Sequence, residues 1–173
     1  REISTKCKNL IIDNSQAFYS EPLPGIDTFY SARKFFGVPD GSYLFTDKKL
    51  KENFEQDFSY NRCEQLLGRI DANAENFYAA FKRNDDVLKN QPIKLMSKLT
   101  QRILQSIDYE KVKKTRRDNF NFMNESLKKI NMLNFELEND AVPMGYPFLI
   151  VNGFELKKSW LKIKFLWQTI GLI

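Results

Sequence analysis

Three short apolar runs, residues 9–13, 26–30 and 42–46, all fall before residue 47, and this spacing most constrains the fold. Breaks at Pro22 to Gly25 and at Gly37-Val38-Pro39-Asp40-Gly41 separate them. Runs of this length, rich in β-branched and aromatic residues and bounded by turn formers, read as strands. The first ends in Asp13, as suits a strand whose carboxyl end opens into a site. Asp47 is placed to cap a helix beginning at Lys48. From about residue 58 the period changes. Leu66, Leu67 and Ile70, then Phe77, Ala80 and Phe81, recur at helical spacing until Asn90-Gln91-Pro92 interrupts them. Ser97 can cap a helix carrying Leu99, Ile103, Leu104 and Ile107. Residues 109–130 read as a long helix with Val112, Phe120, Met123 and Leu127 on one face. Two further strand candidates follow at 133–137 and 147–151. Three strands with little helix, then helices with two strands, read as two layers of an α/β plus α+β protein.

Composition narrows the chemistry. The 173 residues include no histidine, which removes Ser-His and Cys-His nucleophile schemes and His-ligated metals from this chain. No metal site is expected. Cys7 and Cys63 have neither metal-like nor redox-motif spacing and read as free thiols of a reducing compartment, so the expected location is cytoplasmic. No apolar run approaches the roughly 18 residues of a membrane span. The net charge of +5 could favour nucleic acid, but acidic residues interleave with the basic ones. The densest basic run, residues 111–117, reads as a solvated helix face, the alternative being a phosphate-binding stripe. Nucleic acid is therefore not expected as the main partner.

The informative stretch is Asp13-Asn14-Ser15-Gln16 followed by Ser31-Ala32-Arg33-Lys34. Each piece alone is ordinary: a surface lysine, an aspartate in a turn, a serine three residues from a lysine. Their order is not. An Asp closes one strand, Gln follows three residues later, and Ser-x-x-Lys then follows a second strand and precedes a Gly-containing turn. That order resembles the fold-type-I class of pyridoxal 5'-phosphate (PLP) enzymes. The resemblance implies four cofactor-binding residues. Asp13 would sit against the pyridine nitrogen and favour its protonated form. Gln16 would donate to the phenolic oxygen, and Ser31 would bind the phosphate. Lys34 would hold the cofactor as an imine and act as the catalytic acid and base.

Two branches of that class share the core. In the cysteine-desulfurase branch, class V, a Ser-x-His-Lys pattern is expected, and here Arg33 stands where the His would be. Residues Met96-Ser97-Lys98-Leu99-Thr100, with Arg116 and Arg117 in the following long helix, are similar to the DegT/DnrJ/StrS sugar-aminotransferase family. That family carries an Asn three residues before the Met, where this chain has Ile93. The resemblance covers most of residues 9 to 151. It implies a homodimeric aminotransferase acting on amino-acid and nucleotide-sugar substrates, for cell-surface polysaccharide synthesis.

The resemblance also implies that residues 1–57 end a PLP-binding large domain and 58–173 form the small domain. A complete enzyme of this type is more than twice as long, so a partial chain is expected, with unpaired apolar faces at Leu10, Ile12, Phe29 and Leu44. The apolar tail, residues 159–173, can be back-translated in a neighbouring frame to a sequence that continues the preceding helix and ends in a Tyr-Trp-Pro turn. A frame-shifted tail with Trp160 or Trp167 exposed is the corresponding expectation. The alternatives are a class-V desulfurase or lyase, an inactive truncated PLP fold serving as a binding or dimerisation module, and a basic nucleic-acid binder.

Overall fold

The computed structural model describes residues 6, 7 and 9–162, with side chains through residue 159. It is a mixed α/β protein with a three-stranded sheet and five α-helices among the described residues. The chain divides into two units, Arg1–Lys113 and Lys114–Ile173. The change of character expected near residue 57 lies within the first unit.

In the first unit, β1 (Ile11–Asp13), β2 (Asp27–Ser31) and β3 (Ser42–Phe45) lie in the order β1-β2-β3. They match the three apolar runs. β1 and β2 are parallel, with Asp13 opposite Phe29; β2 and β3 are antiparallel, with Ser31 opposite Ser42. β2 alternates strictly, burying Thr28 and Tyr30 and half-burying Asp27, Phe29 and Ser31, as expected where one face of a strand meets the core. The flanking strands are open. Ile11 is 64% exposed and Leu44 51%, whereas Leu10, Ile12 and Phe29 are half-buried.

Asp47 does not cap a helix. Its carboxylate accepts the Gly25 N–H (3.1 Å), while Lys48 pairs with Asp27 (2.7 Å). Both residues thus brace the ends of β2 and β3, and residues 48–50 stay irregular.

Helices α1 (Glu64–Asp71) and α2 (Tyr78–Lys89) follow. Gly68 lets the Phe77 ring lie against α1; a Cβ there would come within 2.3 Å of it. α3 (Lys98–Gln105) starts at Ser97, whose hydroxyl accepts the Thr100 N–H at 3.1 Å. A small core of Ala32, Val38 and Leu104 joins α3 to the segment after β2, with Phe18, Phe36, Met96, Ile103 and Ile107 around it.

α4 (Tyr109–Leu127) contains the boundary between the units. In the second unit it buries Phe120 against Phe135 and Tyr146, with ring centroids 5.7 and 5.2 Å away. α5 (Gly153–Lys162) ends the described chain. The strands expected at 133–137 and 147–151 do not form. One backbone bond, from Met132 N–H to the Leu149 carbonyl (2.8 Å), joins these segments, and the Asn131 side chain replaces the ladder by accepting from the Leu133 and Leu149 amides. Pro147 has no N–H to extend it. Residues 163–173, and the side chains of Trp160 and Trp167, lie outside the described residues, and with them most of the frame-shift expectation.

The basic run on α4 is largely engaged. Lys113 bonds Glu110 (2.8 Å) and Lys114 bonds Asp118 (2.6 Å). In the second unit, Arg116 donates to the carbonyl of Met144 (3.2 Å) and Arg117 to that of Glu138 (3.1 Å). No helix among the described residues is long and apolar enough to cross a membrane.

Candidate functional site

The parallel register of β1 and β2 brings their carboxyl ends to the same end of the sheet. Asp13 closes β1, and the Asn14 N–H donates to the Phe29 carbonyl (2.9 Å), the last rung of that ladder. The chain then turns, and the Ser15 N–H returns to the Asp13 carboxylate at 2.8 Å. The Ser15 side chain and amide together hold the exposed Asp13 carboxyl below its ordinary value, so it is a carboxylate at neutral pH. Gln16 lies exposed in the same turn.

Ser31 closes β2, half-buried opposite Ser42. The chain then forms a 3₁₀ turn, Ala32–Lys34, in which Ala32 is fully buried and Lys34 exposed. Arg33 reaches Asp85 on α2 at 3.8 Å. Asp85 is held below its ordinary value chiefly by Lys89, with smaller contributions from the charges of Arg33 and Lys34. Asp13 and Ser31 thus end neighbouring parallel strands, and Gln16 and Lys34 lie in the segments that leave them.

A buried polar cluster gathers around the turn that returns the chain to β3. Asp40, in the turn that returns the chain to β3, is buried together with Ser59, Arg62, Ser97 and Thr100. One guanidinium nitrogen of Arg62 donates to Asp40 (2.7 Å) and also to Asp57. The Thr100 hydroxyl bonds Asp40, and the Ser97 hydroxyl lies 3.4 Å from the same oxygen. A carboxylate only accepts, so the Thr100 hydroxyl donates to Asp40, while the Ser97 hydroxyl has Thr100 Oγ1 at 3.0 Å and Asp40 at 3.4 Å within reach and shares a 2.6 Å hydrogen bond with the Ser59 hydroxyl. Burial works against the Arg62 charge, but its bonds to Asp57 and Asp40 outweigh it, and the group's pKa rises. Arg62 Nε has no hydrogen-bond partner among the described residues. Only Ser97, in its capping role, was legible beforehand; Asp40 and Arg62 are 22 residues apart.

Two clefts of about 540 and 560 Å³ share Tyr43, Leu44 and Tyr109. Neither is lined by Asp13, Gln16, Ser31 or Lys34. Burial pushes the hydroxyls of Tyr43 and Tyr109 up. Cys63 is half-buried, with its thiol 3.5 Å from the Ser59 carbonyl, and burial raises its pKa. Among the described residues no cluster of three or more Cys, Asp or Glu side chains could hold a metal ion. No protein-family model, curated protein or solved structure matches the chain.

Proposed function

We propose that this chain carries the lysine-bearing part of a PLP-dependent aminotransferase of fold type I. In its complete form it would move an amino group from an amino acid to a nucleotide-linked keto-sugar. The observation that carries the reading is the parallel β1–β2 register, which sets Asp13 and the Ser31-to-Lys34 segment at one end of adjacent strands. In open α/β sheets ligands bind outside the carboxyl ends of the strands.

The donor set fits the cofactor. Asp13 is kept ionised by Ser15, as a partner for a protonated pyridine nitrogen must be. Gln16 and Lys34 are exposed, as side chains that meet a ligand must be. Ser31 offers a hydroxyl for the phosphate. PLP bound there would supply a sink for the electron pair left on carbon when the α-proton departs. Lys34 Nζ would hold the cofactor and, once the substrate amine has displaced it, accept and return the α-proton, a role worth roughly 10²–10⁴ in rate. The raised thiol pKa of Cys63 suits a buried structural cysteine better than the nucleophile a desulfurase needs. The sugar acceptor and the amino donor rest on the family resemblance.

The test is direct. The chain is mixed with PLP, reduced with borohydride and mapped by peptide mass. The cofactor should be fixed at Lys34, and Lys34→Ala should lose it with unchanged helix content. Labelling spread evenly over the lysines would sink the assignment. If the enzyme is of the sugar branch, glutamate plus a nucleotide keto-sugar should yield 2-oxoglutarate; release of sulfide or alanine from cysteine would move it to class V.

A further inference from the structure

We infer that Asp40 and Arg62 are positioning residues that hold Lys34 in place by clamping the closing end of the loop that carries it. The inference rests on the reading of Lys34 given above.

Residues 32–41 form a closed loop between β2 and β3. It is shut at its base by the Ser31–Ser42 pair and by the Ala32 N–H donating to the Gly41 carbonyl at 3.1 Å. Its interior is tightly tied. The amides of Phe35 and Phe36 bond the Ala32 carbonyl (3.1 and 3.0 Å), and Val38 N–H bonds the Phe36 carbonyl (2.9 Å). Ala32, Phe35, Val38, Pro39 and Asp40 are buried, whereas Lys34 and Gly37 are exposed. Lys34 is therefore an exposed cation on a loop whose flanks are packed into the protein.

Asp40 fixes the closing end of that loop. Its two oxygens divide between two supports: one takes Arg62, the other the hydroxyls of Thr100 and Ser97 at the start of α3. Arg62 is itself anchored by Asp57, whose segment is tied to residues 95–96. The Asp57 N–H bonds the Leu95 carbonyl (3.1 Å), Leu95 N–H bonds the Glu55 carbonyl (2.8 Å), and Gln56 Nε2 bonds the Met96 carbonyl (2.7 Å). This frame meets the loop through Asp40, and the fit is close: a Cβ on Gly41 would lie 2.9 Å from Thr100 Cγ2. At the other end of the loop, the Arg33–Asp85 pair holds the residue next to Lys34. A lysine side chain is long and flexible, so its reach is set by where its backbone is held. A displacement of about 1 Å at a reacting group can cost about 10² in rate.

The probe is PLP itself, at limiting concentration, on the whole chain, followed by borohydride and peptide mapping. Labelling of Lys34 is expressed relative to the other lysines. Wild type should favour Lys34, and Asp40→Asn and Arg62→Gln should each lower that preference roughly ten- to a hundredfold. Thr100→Val is the milder variant should those two fail to fold; it removes one hydroxyl donor to Asp40 and should give a smaller loss in the same direction. Ala80→Gly, buried in the same unit but outside the Asp40 network, is the control for stability alone and should leave the preference unchanged. A preference kept by the folded Asp40, Arg62 and Thr100 variants overturns the positioning role while leaving Lys34 as the cofactor lysine. A preference lost equally in Ala80→Gly also overturns it, since the loss would then follow stability. Wild type without any preference overturns the Lys34 reading itself.

Discussion

Replacing Arg62 by Met tests the buried network by the energy it holds. The side chains of Arg62, Asp40 and Asp57 are only 7%, 8% and 13% exposed, so solvent screens their attraction little. A charged hydrogen bond contributes about 1.5–3 kcal/mol, and Arg62 makes two. Losing both leaves two carboxylates without their cation, and breaking a buried pair from one side costs about 3–5 kcal/mol. The remaining donors soften the loss. Asp40 keeps the hydroxyls of Thr100 and Ser97, and Asp57 keeps the Phe58 N–H at 2.9 Å. Arg62→Met should therefore destabilise by about 3 kcal/mol, the low end of that range. Asp40→Asn leaves Arg62 paired with Asp57 and should cost about 2 kcal/mol. The double variant should cost less than the sum by about 1–2 kcal/mol, because neither partner is then left to strand the other. Urea unfolding followed by circular dichroism measures all three, with separate transitions allowed for the two units. A cost below about 1 kcal/mol for Arg62→Met, or strict additivity in the double variant, would refute the argument that these groups form one desolvated unit.

Gly41→Ala should destabilise by about 2 kcal/mol or more, read as a shift in urea midpoint, because Gly41 has φ +107° and an added Cβ would crowd Thr100. Acid should weaken the sheet through Asp27, whose pKa lies below its ordinary value of 3.8, held there by Lys48 and then Thr46. A depressed carboxyl stabilises above its unfolded pKa and loses that contribution as pH falls through the folded one, so Asp27→Asn should flatten the acid limb of a melting-temperature profile; an unchanged limb counts against it. Leu44→Lys should reduce self-association in sedimentation, since Tyr43, Leu44 and Phe45 on the edge strand β3 are all exposed. Equal association of both proteins would show that this edge is not the contact.

What the sequence disclosed is what the chain encodes locally. The three strands follow from short apolar runs between turn formers, and the Ser97 cap follows from a hydroxyl just before a helical period. The positions of Asp13, Gln16, Ser31 and Lys34 at the strand ends and in the segments leaving them follow from the same local signals. The misreadings share a cause too. Asp47 has the chemistry of a helix cap, but 22 residues away the Gly25 amide takes its carboxylate. Residues 133–137 and 147–151 have strand-like composition, but the Asn131 side chain takes the place of the backbone ladder. Asp47 is claimed by a partner 22 residues away and Asn131 by one 18 residues away as well as by the nearby Leu133 amide, and one sequence carries no mark of the distant partners.

The Arg62 network is the extreme case, because Asp40 meets Thr100 across 60 residues. Its energetics also bear on its purpose. Desolvating a charged pair consumes most of what the attraction returns, so a well-packed apolar replacement of the same volume is often as stable or more so. Stability alone therefore gives little reason for a guanidinium and two carboxylates in the interior of a protein this rich in Phe. Direction gives a better one. An apolar contact tolerates sliding, whereas a carboxylate with one oxygen on Arg62 and the other on Thr100 and Ser97 has a single satisfying arrangement. That arrangement fixes Asp40 and Gly41, and Gly41 is bonded to Ala32, two residues before Lys34. A buried polar cluster thus fixes the geometry at the closing end of the loop that carries Lys34.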